Sequence, residues 1–75
     1  ILNETEMQAR LDDGNLIICS MGPGDFTDQG HFIVIRGYSG SGFYVNDPFS
    51  RTNSKKVWKY ETLSGQVQQI WVYAK

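Results

Sequence analysis

Apolar and polar positions change period several times along the chain, and those changes divide it into elements. Met7 and Leu11 stand four residues apart in an otherwise polar segment, the spacing of one helical face. Asn3 precedes that segment as a cap, Glu4 and Glu6 favour the positive end of the helix dipole, and Gly14 ends the helix after Asp13. Leu16-Ile17-Ile18-Cys19-Ser20-Met21 is a continuous apolar run that reads as a strand buried on both faces. Gly22-Pro23-Gly24 stops it, and a polar loop follows as far as Gly30. Residues 31–38 are rich in β-branched and aromatic side chains and read as a second strand. A tight turn over 39–42 leads into Phe43-Tyr44-Val45-Asn46, the returning arm of a hairpin. Asp47-Pro48 closes it, because Pro has no N–H for a central ladder. Residues 49–56 read as loop, 57–59 as a short strand, 60–67 as a short helix around Leu63, and 69–74 as the last strand. The pattern predicts an α+β fold: an N-terminal helix packed on an antiparallel sheet of about four strands.

Composition narrows the class. The 75 residues hold one domain at most, with no internal repeat or linker, and 40% hydrophobic with 13% aromatic content is unlike a disordered tail. One Cys excludes an internal disulfide. No apolar run approaches the ~20 residues of a membrane helix, and no leader is visible at Ile1-Leu2.

Charge is split between the halves. Residues 1–30 set Arg10 against six carboxylates, a net −5, while residues 31–75 set six Lys and Arg against Asp47 and Glu61, a net +4. Lys55, Lys56 and Lys59 form a short basic stretch with no aromatic-plus-basic face beside it, so it reads as a solvated loop and nucleic acid is not expected as a partner. The Gly-rich segment 37–42 lacks the Lys and the helix of a phosphate loop. Asp25, Asp28 and His31 are too scattered for a metal set, so neither metal nor cofactor is expected. Trp58, Tyr60, Trp71 and Tyr73 read as core and strand-face aromatics, and Phe26 and Phe49 as loop residues near one sheet edge.

That edge carries the candidate chemistry. His31 opens the central strand and Asp47 closes its neighbour sixteen residues later, so the hairpin brings both strand ends together. Side chains alternate faces along a strand, so the two share a face only if paired positions sum to an even number. An odd-length turn such as Ser39-Gly40-Ser41 would deliver that, placing Asp47 opposite Ile33 and diagonal to His31. A carboxylate beside an imidazole fixes its tautomer and stabilises the imidazolium, the base-plus-orienter part of a nucleophilic triad. A strand-end His beside an Asp-Pro turn cap is the plainer account of the same residues.

Gly30-His31-Phe32-Ile33-Val34-Ile35-Arg36-Gly37-Tyr38, followed by Phe43-Tyr44-Val45-Asn46-Asp47-Pro48, resembles the bacteriocin-processing-peptidase-like (double-glycine leader peptidase-like) cysteine peptidases, a papain-fold family. The helix, Gly and hydrophobic strand over 7–20 also resemble theirs, so the likeness spans essentially the whole chain. It implies His31 as general base and Asp47 as the residue orienting it. It also implies a Cys at a helix start, with a Gln shortly before it, both upstream of Ile1. Cys19, the only Cys, lies in an apolar strand and reads as core; none of Gln8, Gln29, Gln66, Gln68 and Gln69 stands out as an oxyanion donor.

The expectation is therefore that residues 1–75 form the C-terminal, His- and Asp-bearing part of a single cysteine-peptidase-like domain, inactive alone and acting on a peptide or protein substrate. Its partner would be the missing N-terminal half. Without that half, the sheet face bearing His31, Ile33 and Ile35 would lose its cover and pair two copies as a homodimer. A transglutaminase-like acyl transferase shares the Cys, His, Asp order, but its aromatic after the His and its Trp near the Asp are replaced by Ile33 and Asn46. A peptidase-like binding module without a nucleophile is the non-enzymatic alternative. Domains similar to this one are mostly bacterial and often exported, which implies an extracytoplasmic setting.

Overall fold

A computed structural model describes residues 2–74. Its elements are α1 (Glu4–Asp12), β1 (Asn15–Met21), β2 (His31–Ser39), β3 (Gly42–Asn46), α2 (Arg51–Lys55), β4 (Val57–Trp58), α3 (Tyr60–Ser64) and β5 (Val67–Ala74). The strands form one antiparallel sheet of five in the order β4-β3-β2-β1-β5, the α+β architecture the pattern predicts, with two-residue β4 as the fifth.

Helix α1 begins in a capping box. Asn3 Oδ1 accepts the Glu6 N–H at 2.8 Å and Glu6 Oε1 accepts the Asn3 N–H at 3.1 Å, satisfying two donors that the first turn leaves open. At the far end Gly14 takes a φ of 87°, which a Cβ would strain, and the chain turns back into β1. Tyr38 Oη donates to both Asp12 carboxylate oxygens at 2.9 Å, tying the helix end to β2, and this hydrogen bond raises the Tyr38 pKa.

The core lies on one face of the sheet. Met7 of α1 joins Ile17, Cys19 and Met21 of β1, Ile33 and Ile35 of β2, and Phe43 and Val45 of β3 in one cluster, all of them sealed from solvent. Leu63, Trp58 and Phe26 close its margin, with the Phe26 and Trp58 rings 4.4 Å apart. The face bearing Ile33 and Ile35 therefore has its cover within this chain, contrary to the expectation that it would lie open.

The opposite face is the open one. Phe32, Trp71 and Tyr73 are 56%, 45% and 59% exposed there, and the Phe32 and Trp71 rings meet at 5.9 Å across the small Ser20. Strand β1 is accordingly sealed on one side only. Leu16 and Ile18 lie half-covered on the other, opposite Tyr73 and Trp71 of β5. A continuous apolar run does not distinguish a second buried face from one lined by a neighbour's aromatics.

The hairpin corrects the expected turn. Ser39 pairs with Gly42, so only Gly40 and Ser41 form the tip. Gly42 has a φ of 146°, and a Cβ on it would collide with the Trp58 carbonyl oxygen. Register runs Tyr38 to Phe43 and Gly37 to Tyr44, then shifts, and Ile35 pairs with Val45 and Val34 with Asn46. Arg36 is the extra residue of a β-bulge, and the bulge rather than an odd-length turn supplies the parity that puts 31 and 47 on one face. Residues 51–55 are helical where loop was expected. Arg-Thr-Asn-Ser-Lys has no apolar period to announce a helix, but Ser50 Oγ caps it by accepting the Asn53 N–H at 3.0 Å.

Candidate functional site

His31 is the first residue of β2, opposite Met21 at the end of β1. Asp47 follows Asn46, the last residue of β3, which pairs with Val34; the carboxylate thus comes up beside Ile33, diagonal to His31 as the parity requires. The imidazole Nε2 lies 3.1 Å from Asp47 Oδ1, with the His31 side chain 10% exposed and that of Asp47 fully buried. An ionised carboxylate only accepts, so the proton of the neutral ring sits on Nε2. Nδ1 then carries the free lone pair, and it is the ring atom available to take a proton.

Every polar group of Asp47 is engaged. Oδ1 also accepts the Phe49 N–H at 2.9 Å, the side-chain turn typical of Asp before Pro. Oδ2 accepts from Asn53 Nδ2 at 3.0 Å. Its backbone N–H donates to Ser54 Oγ at 2.8 Å, and its carbonyl accepts the Ser50 N–H at 3.2 Å. Asp47 is therefore both the turn cap and the partner of the imidazole; the two readings of the sequence describe one residue. A carboxylate sealed from water and held by three donors has little freedom to turn, so it presents Oδ1 to His31 in a fixed direction.

Phe49 stands next to this pair. Its ring meets the His31 ring edge-on, with centroids 5.1 Å apart and planes at 90°, yet it is 80% exposed. Phe26, its expected counterpart in the other loop, is instead buried against Trp58. Asp25 is drawn away from any role beside His31: Gln66 Oε1 accepts its N–H at 2.7 Å and Gln66 Nε2 donates to its Oδ2 at 2.8 Å. Gln66 thereby fixes the loop between β1 and β2. Among the described residues no group of three His, Cys, Asp or Glu stands close enough to hold a metal ion, and no helix is long and apolar enough to cross a membrane.

Cys19 sits mid-strand, paired with Ile33 on one side and Ile70 on the other, and has no exposed surface. Burial pushes its thiol pKa up to about 12 from an ordinary 9.0. The folded state keeps the proton after the unfolded chain has lost it, so this contribution is intact below about pH 9 and drains away as pH rises towards 12. We expect the unfolding free energy to fall across that range, by at most ~1.4 kcal/mol per pH unit from this group, read as a falling urea midpoint. Cys19→Ala, less stable at neutral pH, should show a shallower alkaline fall in parallel titrations.

Sequence reasoning anticipated that His31 and Asp47 lie side by side and missed Asn53 and Ser54, which hold Asp47. The only local signal for Asn53 was Ser50 three residues before it, a helix-cap spacing in a segment otherwise without pattern. A model of the Peptidase_C39 like family matches residues 3–75. No curated protein and no solved structure matches the chain.

Proposed function

The chain belongs to the Peptidase_C39 like family, a cysteine peptidase-type assignment, and on that premise we propose that it is the base-bearing part of a domain that hydrolyses peptide bonds through a thioester. His31 is the general base, Asp47 orients it, and the nucleophilic thiol comes from outside these 75 residues. The observation that carries the reading is the Nε2 to Oδ1 contact of 3.1 Å, which leaves Nδ1 as the proton-accepting atom at the end of a strand.

In this mechanism Nδ1 takes the thiol proton, and the thiolate adds to the scissile carbonyl carbon. The imidazolium, stabilised by Asp47, returns that proton to the amide nitrogen as the C–N bond breaks, leaving a thioester. Nδ1 then takes a proton from water as its oxygen attacks the thioester, and the C–S bond breaks, releasing the acid and leaving the thiolate, which takes back the proton from the imidazolium. Cys19 has no part in this, because a thiol whose ionisation needs a pH near 12 supplies almost no thiolate at neutrality.

The test is thiol mapping on the full-length protein at neutral pH with iodoacetamide, followed by peptide sequencing. Rapid alkylation of a Cys outside residues 1–75, slowed by His31→Ala, is the expected result, with Cys19 labelled only in denaturant. Rapid labelling of Cys19 in the folded state, or no reactive thiol anywhere, overturns the reading and leaves a non-catalytic binding module.

A further inference from the structure

We propose that Asn53 is a positioning residue of this site, holding the Asp47 carboxylate through Oδ2 so that Oδ1 stays aimed at the imidazole. The carboxylate turns about a single bond, and its two oxygens are unequally served. Oδ1 has the Phe49 N–H and His31 Nε2, whereas Oδ2 has only Asn53 Nδ2 among the described residues. The side chain is fully buried, so without Asn53 an ionised oxygen would lack a partner, a cost of ~1–3 kcal/mol or more. Turning the carboxylate towards water relieves that cost and breaks its alignment with His31.

Asn53 suits the task because it is itself fixed. Its N–H donates to Ser50 Oγ at 3.0 Å, and its carbonyl accepts from Trp58 Nε1 at 2.9 Å. Its amide nitrogen also reaches the Asp25 carbonyl at 3.3 Å, and two acceptors around one terminal atom leave only nitrogen for that place. Asp25 is held in turn by Gln66. A hydrogen-bonded line thus runs from Gln66 through Asp25, Asn53 and Asp47 to His31, joining the loop before β2 to the turn after β3. The effect on turnover rests on the peptidase reading; the positioning does not.

In the full-length protein the 15N and 1H signals of the His31 imidazole are identified by their loss in His31→Ala. In the unaltered full-length protein the Nε2 proton should exchange slowly with water at neutral pH. Asn53→Leu, close in shape but without the donor, should speed that exchange about tenfold or more while the amide spectrum stays folded, the equivalent of about one lost buried hydrogen bond. A folded Asn53→Leu with unchanged exchange overturns the proposal.

Should that variant not fold, the reciprocal pair Asp47→Asn/Asn53→Asp reads the same contact. It restores an amide-to-carboxylate bond between the two positions, so it should keep the slow Nε2 proton that Asp47→Asn alone loses. Equal loss in both overturns the proposal. In the full-length protein Asn53→Leu should lower kcat about tenfold with KM unchanged. Slow exchange that depends on Asn53 in a protein that cleaves no peptide would leave the positioning standing and remove the peptidase reading.

Discussion

His31→Ala in the full-length protein should lower peptide-bond cleavage by about 10⁴-fold or more, because in the proposed mechanism one group takes the thiol proton, returns it to the leaving amide and then takes a proton from water. Without Nδ1 the thiol has no base at neutral pH, and the leaving amine has no acid when the C–N bond breaks. The fold should survive, since Asp47 keeps the Phe49 N–H and Asn53 as donors and the lost ring lies at a strand end rather than in the sealed core. Steady-state cleavage of a peptide substrate, with circular dichroism of the same samples, checks both halves of the statement. Turnover within tenfold of the parent in a folded variant would remove His31 from the mechanism.

Asp47→Asn tests the second member of the pair, and the structure makes it more than a loss of charge. The parent carboxylate faces donors on both oxygens: His31 Nε2 on one and Asn53 Nδ2 on the other. An amide at position 47 must turn its NH2 towards one of them. Towards His31 it forces the wrong tautomer; towards Asn53 it sets donor against donor until that amide flips and gives up Asp25. Either way the imidazolium loses its counter-charge, and kcat should fall by about 10²–10⁴-fold. Stability should fall by about 1–3 kcal/mol, the range for a disturbed buried hydrogen bond. The two effects separate the roles of this residue. Activity lost per folded molecule marks the partner of a base, whereas a denaturation midpoint that drops with unchanged activity per folded molecule marks a turn cap alone.

The parts of this site that the sequence made legible are those set by alternation and by chain reversal. Residues 31–38 announce a strand, Asp47-Pro48 its neighbour's end, and a hairpin between them has to bring 31 and 47 to one edge. The helix over Glu4–Asp12 was equally plain from Asn3, two acidic residues and Gly14. What stayed hidden depends on groups whose partners are distant or whose local pattern is mute. Helix α2 rests on Ser50 and on side chains reaching back to Asp47, with no apolar face of its own. Asn53 meets Asp25 across 28 residues, a contact that only the packed fold creates. The open sheet face is the opposite of the one expected, because Ile33 and Ile35 are covered by Met7 and the rest of this chain's own core and need no second half to seal them.

The bulge at Arg36 separates two counts along the hairpin. Between Arg36 and the tip, pairing is set by the two-residue turn; between Arg36 and the site, it is set by the face that His31 and Asp47 must share. The spacing of sixteen between the imidazole and the carboxylate is therefore not a requirement of the chemistry. A relative with one residue fewer and no bulge would hold the same two groups in the same relation. One that kept the shorter spacing together with the bulge would turn the carboxylate to the aromatic face, on the far side of the sheet from its base. Alignments that score this motif by distance alone cannot tell the first from the second, so the bulged position has to be counted before the acid is assigned.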